Sequence, residues 1–366
     1  MADRGLSPVP IRSEESLLRP VSLAAVLAAT TCLSCLASSG NAAQPMAKPN
    51  ADMQAVLDAQ ASLHPKPIES LTPDEARKQP APSDGVKIVM QKKGMNPNDP
   101  MGVATKDIMV DGGEGQIPAR VYWPQGADMS KPLPVVLYFH GGGFVIATID
   151  TYDASPRAIA KSANAVVISV EYRKAPEHKF PAAFDDAFAA YKWTLANAGS
   201  VHGDPHKVAV MGESAGGALA LATSIKARDS HMPLPVREVL VYPVAGVDMN
   251  TPSYIENAKA KPLNKAMMGW FVKYLINSPA DKMDPRLSGK VALNGLEPTT
   301  VILDQIDPLR SEGEGLRDHL KAAGVEVSAK TYEGVTHEFF GMGAVVPAAK
   351  DAEDMVANDL KGSFAK

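Results

Sequence analysis

Short apolar runs rich in β-branched residues recur from about Lys106 onward. "QIPARVYWP", "LPVVLYFHGGG", "NAVVISVEYR", "KVAVMG", "REVLVYPV", "TTVILDQ" and "VSAKTYEG" each read as a strand. Stretches with helical spacing separate most of them. Such alternation predicts an α/β fold, with a mostly parallel central sheet flanked by helices on both faces. Functional residues in sheets of this kind stand at the C-terminal ends of the strands. Ahead of the strands, residues 44–105 are polar and proline-rich, and they read as an N-terminal segment and linker. Met53, Val56, Leu57 and Gln60 fall at helical spacing there. "LTPDEAR" offers Thr72 as an N-cap, Pro73 at the first helical position and Glu75 three residues after the cap, which predicts a helix start with a capping box.

The first 43 residues follow a different pattern. Arg4, Arg12 and Arg19 precede an apolar run from Val21 to Leu36, and "ASSGNAAQP" follows it. Basic region, apolar region and small residues in that order predict a secretory signal over residues 1–43, cleaved near Ala42 or Ala43. The protein is then exported, to the periplasm or the medium, with no stable membrane span left. An uncleaved anchor helix is the alternative, and the run is short for a full span. Both cysteines, Cys32 and Cys35, lie inside this run. The mature chain would hold none, which excludes a disulfide framework, a thiolate metal site and a cysteine nucleophile. Apolar content of 45% and a net charge of -4 over 366 residues describe a globular chain with a full core. That balance gives no footprint for nucleic acid. The sequence leaves monomer and homodimer both open.

One strand end carries a chemical signal. Gly212-Glu213-Ser214-Ala215-Gly216 has the form G-x-S-x-G, with a strand before it and a helix former after it. In that context the pattern marks a nucleophile elbow, a strained turn that lifts the serine hydroxyl clear of the sheet. A serine needs a base to take its proton as it attacks. Among the eight histidines, His337 in "YEGVTHEFF" lies just past the last expected strand, with room for an acid between it and Ser214. His319 falls inside an expected helix and points elsewhere. The acid must hold the imidazole in one tautomer. "TTVILDQIDPLRSEG" offers Asp304 and Asp307; Asp307 lies past the strand in a loop stopped by Pro308, whereas Asp304 is still on the strand and could simply cap the turn. Finally, "FHGGGF" places consecutive glycines after an apolar strand, where backbone N–H groups can approach a developing oxyanion without obstruction. No G-K-[ST] follows them, so phosphate cradling is disfavoured. No cofactor or metal is called for.

Seven ordered stretches, "LTPDEAR", "FHGGGF", "EYRKAPEHKFPAAFDD", "GESAGG", "DPRLS", "DPLRSEG" and "GVTHEFF", together resemble the bacterial hormone-sensitive-lipase-like (family IV) esterases of the α/β-hydrolase superfamily. The resemblance spans residues 50 to 345. It implies Ser214, Asp307 and His337 as the catalytic three, Gly142, Gly143 and Ala215 as the oxyanion donors, and His140 as the residue ordering the glycine loop. It also implies a helical cap on the catalytic domain of residues 106–366, built from the N-terminal segment and an insertion at about 246–285. Met267, Trp270, Phe271, Tyr274 and Leu275 recur there at helical spacing, either as an acyl-pocket wall (Met267, Trp270 and Phe271) or as packing between cap and core. Two positions depart from the family pattern. Glu213 stands where the family commonly has Asp or Thr, and Glu338 where it commonly has Gly. These glutamates could raise the His337 pKa, face solvent or pair with Arg173. The expected activity is hydrolysis of small-molecule carboxylic esters with short to medium acyl chains through an acyl-enzyme. Amide or lactone hydrolysis by the same groups is the nearest alternative. A non-catalytic receptor, as in the plant gibberellin receptors that resemble this family but lack the histidine, is disfavoured by His337.

Overall fold

A computed structural model describes residues 45–366. The expected signal segment, with Cys32 and Cys35, lies outside the described residues. Eight strands form one sheet: β1 (Val103–Gly112), β2 (Gly115–Pro124), β3 (Leu133–Phe139), β4 (Val166–Val170), β5 (Gly203–Glu213), β6 (Glu238–Val241), β7 (Thr299–Ile306) and β8 (Val327–Thr336). Their spatial order is β1-β2-β4-β3-β5-β6-β7-β8. β1 and β2 run antiparallel at one edge, and all pairs from β4 onward are parallel. β1 is the strand that the pattern of apolar runs does not announce. Its sequence, VATKDIMVDG, mixes apolar and polar residues without a long apolar run, and as an edge strand it buries only Val103 and Val110.

The two faces of the sheet divide by residue parity. Val135, Leu137 and Phe139 of β3 point to one core, with Tyr191 and Leu219 from the helices covering that face. Val136 and Tyr138 point to the other, with Ile159 and Val356. Each fully buried side chain of Val or Leu size contributes about 1.5–3 kcal/mol to keeping these layers closed. A strand buried on both faces is apolar at nearly every position, which is why β3 and β4 read as near-continuous runs, Ser169 being the buried polar exception in β4.

The N-terminal segment is tied to the sheet at defined points. Asn50 caps the helix Ala51–Ala61 by accepting from the Met53 N–H at 2.9 Å. Met53 and Val56 from this helix are fully buried. Thr72 and Glu75 form the capping box, with Glu75 Oε2 accepting from the Thr72 N–H at 2.9 Å. Just beyond it, Arg77 donates to the carbonyls of Val145 and Ala175, both at 2.9 Å, and pairs with Glu177 at 2.7 Å. The segment thereby braces the loop after β3. Between β6 and β7 the chain leaves the sheet for the helices Pro252–Glu256 and Lys265–Leu275. Among the described residues no helix is long and apolar enough to cross a membrane.

Candidate active site

β5 ends in the elbow. Ser214 adopts φ 55 and ψ -117, outside the ordinary regions for a residue with a side chain. The turn tolerates nothing larger than hydrogen beside it. A Cβ on Gly212 would lie 2.0 Å from the Gly216 carbonyl oxygen, and one on Gly216 would lie 2.0 Å from that of Phe139. The Ser214 N–H donates to the Val241 carbonyl at 2.9 Å, which pins the turn to β6. The helix Ala215–Asp229 starts at once, so the N–H groups of its first turn face the serine.

His337 follows β8 and is 3% exposed. Its Nε2 lies 2.9 Å from Ser214 Oγ, and its Nδ1 lies 2.8 Å from Asp307 Oδ2. Three side chains separated by up to 123 residues thus form one hydrogen-bonded line. Asp307 Oδ1 accepts from the Leu309 N–H at 2.9 Å, which fixes the carboxylate. Burial pulls the His337 pKa down, but the charge and hydrogen bond of Asp307 outweigh it, and with Glu338 and Glu213 nearby the pKa ends raised. A raised pKa makes the imidazole a better proton acceptor.

Asp304 does not cap the turn. It lies buried on β7, and donor atoms of Asp304, Asp307 and His337 sit within 4.8 Å of one another. A cation site there would need a free imidazole nitrogen. Both ring nitrogens are already engaged, by Asp307 and by Ser214.

The glycine loop follows β3. Gly142 has φ 102, and a Cβ there would meet the Ile146 carbonyl oxygen at 2.3 Å. The N–H groups of Gly142, Gly143 and Ala215 make no hydrogen bond among the described residues. Gly142 and Gly143 line the same cavity as Ser214 and His337. His140 is fully buried, and burial lowers its pKa to about 4, so the ring is neutral. Its Nδ1–H donates to the Gly141 carbonyl at 2.7 Å, and the ring stacks on Tyr172 at 4.4 Å. The Tyr172 hydroxyl donates to the His140 carbonyl at 2.9 Å.

The two departing glutamates neither face open solvent nor pair with Arg173, which binds Asp186 and Glu114 instead. Glu213 is fully buried and accepts from the hydroxyls of Tyr138, at 2.6 Å, and Tyr242. Burial pushes its pKa up to about 7, against those hydrogen bonds. Tyr242 also packs on the imidazole of His337, with ring centroids 4.6 Å apart. Glu338 is half-buried and has φ 68, a conformation that glycine adopts more readily.

The cavity over Ser214 measures about 110 Å³. Met267 and Phe271 line it, and so do Val244, Leu263 and Met268. Trp270 does not. Its Nε1–H donates to the Leu71 carbonyl at 2.9 Å, so it ties the helix Lys265–Leu275 to the N-terminal segment. The spacing that puts Met267 and Phe271 on one helical face leaves Trp270 turned toward the N-terminal segment. Sequence reasoning also missed Ser253 and Asn257. The Ser253 hydroxyl donates to the Pro308 carbonyl at 2.6 Å, and the Asn257 amide to the Asp307 carbonyl at 3.1 Å. No local motif marks either residue, since each acts across about 50 residues of chain.

A family model described as "alpha/beta hydrolase fold" matches residues 136–341. The chain belongs to that family. Within the α/β-hydrolases it groups with the hormone-sensitive-lipase-like esterases. The esterase LipI of Mycobacterium tuberculosis is 38% identical over 276 residues, covering 74% of this chain and 86% of the relative. The ethyl acetate hydrolase of Pseudomonas putida is 33% identical over 301 residues, covering 81% and 92%. Among solved structures, the hyperthermophilic esterase of Pyrobaculum calidifontis superimposes with a TM-score of 0.77 at 35% identity, covering 87% of this α/β-hydrolase and 99% of the other chain.

Proposed function

We propose that this α/β-hydrolase cleaves small-molecule carboxylic esters with short to medium acyl chains, with Ser214 as nucleophile, His337 as base and Asp307 as the acid that orients it. That the chain is a carboxylic ester hydrolase follows from its family and relatives. The observation that carries the residue roles is the unbroken line Asp307–His337–Ser214 beside a cavity. As Ser214 Oγ attacks the carbonyl carbon, its proton passes to His337 Nε2. Negative charge then collects on the carbonyl oxygen, and the N–H groups of Gly142, Gly143 and Ala215 receive it. Each such donor is worth roughly 3–4 kcal/mol of barrier. The imidazolium returns the proton to the departing alkoxide. Water repeats the sequence on the acyl-enzyme and frees the acid.

The acyl limit rests on the cavity. Beyond Met268 and Phe271 lies a separate pocket of about 30 Å³, lined by apolar groups such as Val247, Tyr254 and Leu287. Met268 and Phe271 line both pockets and form the wall that an acyl chain would meet, which favours a short one. A wider cavity of about 660 Å³, lined among others by His64, Lys66 and Lys261, shares Gln60, Ile68, Pro262 and Met267 with the first and would offer the alcohol a way out.

Rates on p-nitrophenyl esters of rising acyl length test the reading. A maximum among the short chains supports it; a steady rise to the longest chains rejects it. Stoichiometric labelling of Ser214 by an organophosphonate tests the nucleophile. For residues 1–43 we propose export, checked by fractionating cells and sequencing the N-terminus of the mature chain. A cytoplasmic chain that keeps its first residues rejects it.

A further inference from the structure

We propose that Asp304 is a positioning residue, a neutral carboxylic acid whose O–H donates to Asp307 and tempers the charge that Asp307 presents to His337. The proposal rests on the triad reading above. Asp304 has no exposure, and neither of its oxygens meets a donor from another described residue. Yet a carboxyl oxygen of Asp304, one of Asp307 and a ring nitrogen of His337 all lie within 4.8 Å of one another. Two carboxyl groups this close can hydrogen-bond only if one keeps its proton. Two ionised carboxylates held this close, away from water, would repel strongly.

Which of the two holds the proton follows from the partners. Asp307 accepts from His337 Nδ1–H at 2.8 Å and from the Leu309 N–H at 2.9 Å. Two donors point at it, which leaves Asp304 to carry the proton between them. Asp304 has no such donors. Burial first, and then the neighbouring charge of Asp307, push its pKa well above the carboxylate range. Other charged groups face this cluster as well. Arg310 acts on Asp304 but is committed to Glu256 and the Gln305 carbonyl. Tyr254 and Glu312 face Asp307, and burial raises the pKa of both. Glu213 and Glu338 face His337 from the end of β5 and the loop after β8.

A third donor on Asp307 spreads its charge over one more hydrogen bond. The imidazole is then held less tightly in its protonated form. Removing that donor should concentrate charge on Asp307 and raise the His337 pKa further. Removing a charge at Asp304 would do the opposite. The direction of the change therefore reveals the protonation state.

The test compares Asp304→Asn, which keeps a donor, with Asp304→Val, which has similar volume and none. Both are assayed for kcat/KM across the acid limb, with His337→Gln alongside. Asp304→Asn should follow the wild-type profile within about threefold, and Asp304→Val should move the limb to higher pH by roughly 0.5–1 unit. Infrared spectra should show one neutral-carboxyl stretching band lost in Asp304→Asn, a result that stands even where Asp304→Val does not fold. A limb that moves to lower pH in both variants means Asp304 was ionised, and it overturns the proposal. A limb fixed in both, with only melting temperature changed, overturns it too, because a purely structural residue behaves that way. A His337→Gln variant that stays active with the same limb shows instead that the triad reading itself is wrong.

Discussion

The two ends of β7 each hold a pair of buried acids, and only one of them makes a site. At the start of the strand, Glu238 and Glu297 lie side by side, with Ser224 donating to Glu297 and Thr299 donating to Glu238 at 3.4 Å. Burial raises both pKa values, that of Glu297 to about 7. At the far end, Asp304 and Asp307 are as deeply buried, but Asp307 meets an imidazole, and the imidazole meets a hydroxyl that faces a cavity. Perturbed acids therefore do not by themselves mark function. The informative feature is a relay that can accept a proton and pass it on.

The sharpest way to break the comparison is at the hydroxyl. Ser214→Ala should lower kcat for ester hydrolysis by at least about 10⁴-fold, with melting temperature nearly unchanged. A variant keeping a tenth of the activity would reduce the far end to another buried pair. Next in size is Gly142→Ala, whose Cβ would strike the Ile146 carbonyl and displace the oxyanion loop. Steady-state kinetics should show kcat down by about 10²–10³-fold.

A smaller effect is expected at Glu213. Wild-type activity should fall as pH drops through the raised His337 pKa, because the protonated imidazole cannot act as base. Glu213→Gln removes one negative neighbour, so the acid limb of kcat/KM should move to lower pH by a fraction of a unit. A limb unmoved in that variant would mean that burial already keeps this glutamate protonated.

The smallest effect on catalysis belongs to the other end. Folded Glu297 keeps its proton up to about pH 7, whereas the unfolded chain releases it near the ordinary value of 4.5. The native state binds more protons across that window, so its contribution to stability is lost as pH rises through it. Glu297→Gln has no proton to lose. Its melting temperature should exceed that of the wild type by about 2–8 °C at the upper end of the window, with ester hydrolysis unchanged. Calorimetry across the window checks the first, and an initial-rate assay the second.

What the sequence discloses about this site depends on the range over which each residue acts. Ser214 is legible because its elbow is local: a strand, two glycines and a helix, all within a few residues. His337 and Asp307 are legible because each follows a strand that ends on the same side of the sheet. Glu213 is different. Its meaning lies in Tyr138 and Tyr242, which sit on two other strands' ends and carry no motif. The same holds for Trp270, whose indole reaches back across 199 residues to Leu71. Periodicity placed that ring on a helix without saying which way it faced. β1 escaped notice because it lies at the sheet edge and lacks an apolar run.

Ser253 and Asn257 lie on the short helix Pro252–Glu256 and just past its end, and both grip the loop that carries Asp307. Roof and machinery therefore share a hinge pin. A shift of that helix would therefore pull on Asp307 and, through its hydrogen bond, on His337. Exchanging the segment between β6 and β7 for one from a relative is therefore expected to alter turnover as well as selectivity.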